Sequence, residues 1–112
     1  MKAATAVRCA KELVAEVTRN FPALKEHIAR KEYEEAYLLL LRPRAEYHYD
    51  AGGDQGLNSL YMGPSFSTDF RLLMEALREK EIGLITYHIR CLETTLRQRA
   101  MRQQTLGEKC EE

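Results

Sequence analysis

The sequence predicts an all-α protein, a small four- or five-helix bundle, and three observations carry that expectation. Apolar residues recur at three- and four-residue spacing through most of the chain. No stretch alternates apolar and polar residues as a half-buried strand would. The Gly, Pro, Asn and Ser clusters that punctuate helices fall between the apolar stripes. With 112 residues, 45% of them hydrophobic and 30% charged, the chain has the apolar content for one core and no room for a second. A single helical domain is expected over residues 1–107, with 108–112 as a frayed tail.

The first element lies in residues 3–19, where Ala3, Ala6, Val7, Ala10, Leu13, Val14 and Val17 form one apolar stripe. Asn20 and Phe21-Pro22 are expected to end it, because a residue before proline is pushed out of the α region. Proline suits the first turn of a new helix, so a second, shorter helix is expected from Pro22 to Arg30. The third spans Lys31 to Leu41, with acidic residues in its first turn and an apolar face through Tyr33, Ala36, Tyr37, Leu40 and Leu41. Leu38 and Leu39 widen that face, which marks this helix as the central one. Pro43 is expected to kink or restart it, leaving Arg44 to Tyr49 as a further turn or two.

From Asp50 to Ser67 the periodicity stops, and Gly52, Gly53, Gly56 and Gly63 fall here out of six glycines in the chain. The stretch reads as one long glycine-rich loop, about residues 50–67, with a helical turn near Leu57 to Tyr61. It also carries Leu57, Leu60, Tyr61, Met62 and Phe66, which a plain solvated linker would not need. Ser67-Thr68-Asp69 then supplies cap residues for a fourth helix whose apolar positions are Phe70, Leu73, Met74 and Leu77. Glu79 to Gly83 reads as a turn, although Leu84, Ile85, His88, Leu92 and Leu96 nearly continue the register. The last helix is expected to reach Leu106, with Gly107 as its C-cap signal.

Lys plus Arg and Asp plus Glu both total 17, so no global basic field draws in nucleic acid or an anionic membrane. Near-zero net charge lowers the electrostatic barrier to self-association, which is compatible with a homodimer. The start meets Arg8 before any apolar stretch has formed, so no secretory leader is expected. The longest purely apolar run, Leu38 to Leu41, is too short to span a bilayer. Cys9, Cys91 and Cys110 are odd in number and widely spaced, as in a reduced cytoplasmic protein rather than a disulfide scaffold or zinc ribbon.

Leu24, Ile28, Tyr33, Glu35, Ala36 and Leu40 outline a helix pair that resembles a single tetratricopeptide-type hairpin, notably in Tyr33-Glu34-Glu35-Ala36. The resemblance covers roughly twenty residues, and that family buries its faces by stacking several repeats. One hairpin alone implies no site residues, and an ordinary αα-hairpin is the simpler expectation.

Local chemistry is sparse. His88 and Cys91 share a helix face, and His48 with Asp50 and Asp54 clusters near the loop, but neither has zinc-finger or HExxH spacing. Ser65 and Ser67 lack a GxSxG elbow, and Gly52-Gly53-Asp54-Gln55-Gly56 lacks the GK[ST] ending of a P-loop and reads as a flexible turn. No catalytic residue, metal or cofactor is assigned. Arg90, Arg97, Arg99 and Arg102 give the last helix a local positive excess, which suits either its C-terminal dipole or nucleic acid. Leu57, Leu60, Tyr61, Met62 and Phe66 either cover the core or anchor a partner protein. The expected function is therefore a small helical interaction module, an adaptor, inhibitor or regulatory subunit, that binds another protein or itself through the 50–67 loop and an exposed helix face. A nucleic-acid-binding regulator using the four arginines is the first alternative, and a small enzyme or metal protein around His88 and Cys91 the second.

Overall fold

The computed structural model describes the backbone of residues 3–60 and 65–111, and side-chain surroundings over 5–57 and 66–100. Among the described residues there are five α-helices, one π-helical turn and no strand. Helix α1 spans Ala3–Ala29, α2 Tyr33–Pro43, α3 Gly53–Leu60, α4 Ser65–Glu79 and α5 Ile82–Glu111, with the π turn at Arg44–His48. The all-α bundle is as the periodicity predicts.

Each long helix buries a stripe at alternating four- and three-residue steps, the seam of coiled-coil-like packing. In α1 it runs Ala10, Val14, Val17, Phe21, Leu24, ending on the half-buried Ile28. In α4 it runs Phe66, Phe70, Leu73, Leu77, and in α5 Ile85, the half-buried Ile89, Leu92, Leu96. Helix α2 contributes Ala36, Leu40 and Pro43.

This seam explains the first difference from the sequence reading: α1 continues through Pro22, with no break after Asn20. Pro22 is exposed, while Phe21 and Leu24 on either side of it keep the register of Val14 and Val17. Burying that uninterrupted stripe outweighs the hydrogen bond that proline cannot donate to the Thr18 carbonyl.

Two helix pairs turn on the same device. Lys31 and Lys80 adopt left-handed backbone, with φ of 63° and 58°. Lys31 N–H donates to the Ile28 carbonyl at 3.1 Å and Glu32 N–H to the His27 carbonyl at 2.8 Å. Lys80 N–H donates to Leu77 at 3.2 Å and Glu81 N–H to Ala76 at 3.0 Å. Both are Schellman motifs, which satisfy the last carbonyls of one helix and reverse the chain into the next. The expected turn after Glu79 is thus present, and Glu81 accepts the first bond of α5 from Ile85 N–H at 2.9 Å.

The pairs α1–α2 and α4–α5 are antiparallel hairpins, and α2 packs on α4 to join them. Thr95 Oγ1 donates to Asp69 Oδ2 at 3.1 Å across the second hairpin, and Lys25 Nζ donates to Glu93 Oε2 at 3.0 Å between α1 and α5. The π turn returns along α1, bringing Tyr47 near Glu12 and Glu16.

The glycine-rich stretch is helical over Gly53–Leu60, well beyond the single turn expected, and residues 61–64 lie outside the described residues. Gly52 and Gly53 have φ of 94° and 69°, a reversal that L side chains resist, so they set the entry to α3. At the other end of the chain, α5 runs past Gly107 to Glu111, beyond the expected cap. One glycine costs a helix only about 1 kcal/mol, which is too little by itself to end it.

Candidate functional site

A groove runs between α2 and α4. Because the two helices are antiparallel, the start of α2 lies beside the end of α4, and the π turn lies beside the middle of α4. At that second end a cleft of about 160 Å³ is bounded by Tyr37, Arg44, Arg71, Met74, Glu75 and Arg78. A larger hollow of about 410 Å³ continues from it, sharing Tyr37 and Arg78 and adding Tyr33, Leu38, Leu77 and Lys80.

Helical spacing explains why these side chains meet. Arg71, Glu75 and Arg78 are four and three residues apart, so they form a stripe beside the buried Phe70, Leu73 and Leu77. Tyr33 and Tyr37 stand one turn apart on α2 and are half-buried against the core. Leu38, beside them, is 45% exposed although it is a large apolar residue.

The groove carries an excess of positive charge. Arg44, Arg71, Arg78 and Lys80 face two carboxylates, Glu34 and Glu75. Arg71 Nη1 donates to Glu75 Oε1 at 3.5 Å, a long contact between exposed groups. Among the described residues Arg44 and Arg78 form no ion pair. The arrangement offers an apolar floor with unpaired cations along its rim.

The residues singled out from the sequence fall elsewhere. Leu57 and Phe66 are 1% and 3% exposed and belong to the core, Phe66 stacking at 5.6 Å on Phe70. Both are buried in the fold, as the core-covering alternative expects of them. Leu60 ends α3 without a described side chain, and Tyr61 and Met62 lie outside the described residues.

Among the arginines of α5, Arg97 Nη2 donates to Glu93 Oε2 at 3.3 Å, the same oxygen that Lys25 holds. Arg90 is exposed, Arg99 is half-buried, and the side chain of Arg102 is not among those described.

His88 and Cys91 gather no third ligand, and no group of three metal-binding side chains occurs among the described residues. His88 packs edge-on to Tyr87 at 5.1 Å. A hydrogen bond to Cys91, its charge, burial and the Asp69 charge together raise the Tyr87 phenol above its ordinary 10.0. His48 Nε2 and Asp54 Oδ1 are 2.7 Å apart, so that pair does form, while Asp50 stays exposed. The pair ties the π turn to the first turn of α3, a structural task.

Compared with known families, curated proteins and solved structures, the chain matches none. Its groove therefore stands on its own geometry. Sequence reading missed Arg44, Arg71 and Arg78 because no local motif links them. Only the seven-residue spacing of Arg71 and Arg78 around Glu75 was there to be found.

Proposed function

We propose that the protein is a small helical interaction module that works in the cytoplasm as an adaptor, inhibitor or regulatory subunit. Its contact surface is the groove between α2 and α4 rather than the buried Leu57 and Phe66. The observation that carries this reading is the uncovered apolar floor of the groove, a hollow of about 410 Å³ beside the 45%-exposed Leu38. A large apolar side chain at the mouth of a concave surface gains free energy when a partner covers it. No described helix is long and apolar enough to cross a membrane, so this surface is not lipid-facing within a spanning segment.

The test is capture of the tagged full-length chain and of its Leu38→Asp variant from the native cells, with low- and high-salt washes and identification of proteins and nucleic acids. Leu38 is already exposed, so the variant should retain its helical circular dichroism. A stoichiometric protein that survives high salt with the wild type and is lost from Leu38→Asp supports the module. Nucleic acid that washes away with salt from both chains replaces it with the reading based on the α5 arginines.

A further inference from the structure

We infer that the occupant of the α2–α4 groove is an acidic amphipathic helix of a partner protein, whose carboxylates are held by Arg44 and Arg78. The inference rests on the groove reading above and adds the chemistry of the partner. Two features of the groove select this occupant.

The first is length and shape. From Tyr33 to Arg44 the groove follows α2 into the π turn, a rise of about 16 Å, which matches some three turns of a second helix. A helix seated there would pack on two antiparallel neighbours, as α4 itself packs between α2 and α5. Its apolar residues at three- and four-residue spacing would meet Tyr33, Tyr37 and Leu38.

The second is charge. Arg44 and Arg78 border the small cleft, Arg78 lines the larger hollow as well, and neither has an ion-pair partner among the described residues. Arg44 is half-buried, so its charge is less fully hydrated than that of an exposed arginine. At about 160 Å³ the cleft has room for a carboxylate head. Guanidinium groups in that setting favour Asp or Glu on the flank of the bound helix and repel basic segments.

The experiment is selection of a displayed library of random peptides, each about 16 residues or roughly four turns long, against the full-length protein. The leading peptide is then synthesised and titrated by fluorescence anisotropy against the wild type, Leu38→Asp, and the double variant Arg44→Gln with Arg78→Gln. A version of the peptide with Gln in place of its acids and a single-stranded DNA of similar length complete the set. Circular dichroism checks each variant. The expected result is enrichment of Asp or Glu beside apolar pairs, binding weakened at least about tenfold by the double variant or by Gln in the peptide, and binding lost with Leu38→Asp. Peptides without acids, or a Gln version that binds as well, overturn the acidic partner while Leu38→Asp still reports on the groove. Binding that ignores Leu38→Asp, or a library that enriches nothing, overturns the groove itself. DNA binding that the double variant abolishes reassigns the arginines to nucleic acid.

Discussion

A Cβ on Gly56 would collide with the carbonyl oxygen of Ala51, a residue with no exposure of its own, so neither side can move away cheaply. Gly56→Ala is therefore expected to destabilise the fold by about 2–3 kcal/mol in urea unfolding, the cost of forcing a methyl into packed backbone. Lys80 presents the opposite case. It carries a side chain where glycine is preferred, at φ 58°, and the left-handed backbone costs about 1–2 kcal/mol against about 0.5–1 kcal/mol of unfolded-state entropy for glycine. Lys80→Gly should accordingly stabilise the protein by about 0.5–1 kcal/mol. Tyr47 contributes to alkaline behaviour. Its phenol is raised above the ordinary 10.0 by burial first, then by the hydrogen bond and charge of Glu46, and by the charges of Glu16 and Glu12. Above pH 10 the folded chain keeps this proton after the unfolded chain has lost it, so the contribution is whole below the unfolded value and is lost as pH rises from there through the higher folded value. Thermal melts of Tyr47→Phe should show a shallower alkaline decline than the wild type; an identical slope would assign the decline to other groups.

Helix α1 shows how two rules read from one sequence compete. Proline predicts a stop after Asn20, and the stripe of Val14, Val17, Phe21 and Leu24 predicts continuity. Continuity wins because the stripe buries four large apolar side chains, whereas proline costs one hydrogen bond and a steric adjustment of about 3 kcal/mol. Pro22→Ala tests this directly: inside a helix it should stabilise by about 1–3 kcal/mol, and at a break between two helices it would change little. The same stripe logic made α4 and α5 legible from Phe70, Leu73, Leu77 and Leu92, whereas the turn between them was read from Glu79 to Gly83 against a register that nearly continues. The stretch after Asp50 was harder, because its glycines read as flexibility. In the structure Gly52 and Gly53 supply positive φ and Gly56 supplies close approach, so they build the entry to α3 rather than loosen it.

For the molecule as a whole, the bundle was written in the apolar periodicity, but the groove was not. Arg44 and Arg78 are 34 positions apart in the chain and meet only because α2 lies antiparallel to α4. The clustered arginines of α5 drew attention instead, yet Arg97 is already engaged with Glu93. Likewise Leu57 and Phe66 marked a needed core contact rather than a surface, since an apolar residue in a glycine-rich stretch carries no label for which way it faces. A photoreactive phenylalanine analogue placed at Leu38 in the groove, or at Tyr87 on α5, tests the central claim most directly in the native cells. Both positions are open to contact, at 45% and 62% exposure. The account predicts a discrete protein adduct from position 38 and none from position 87; an adduct from position 87 alone, or nucleic acid from either, would contradict it.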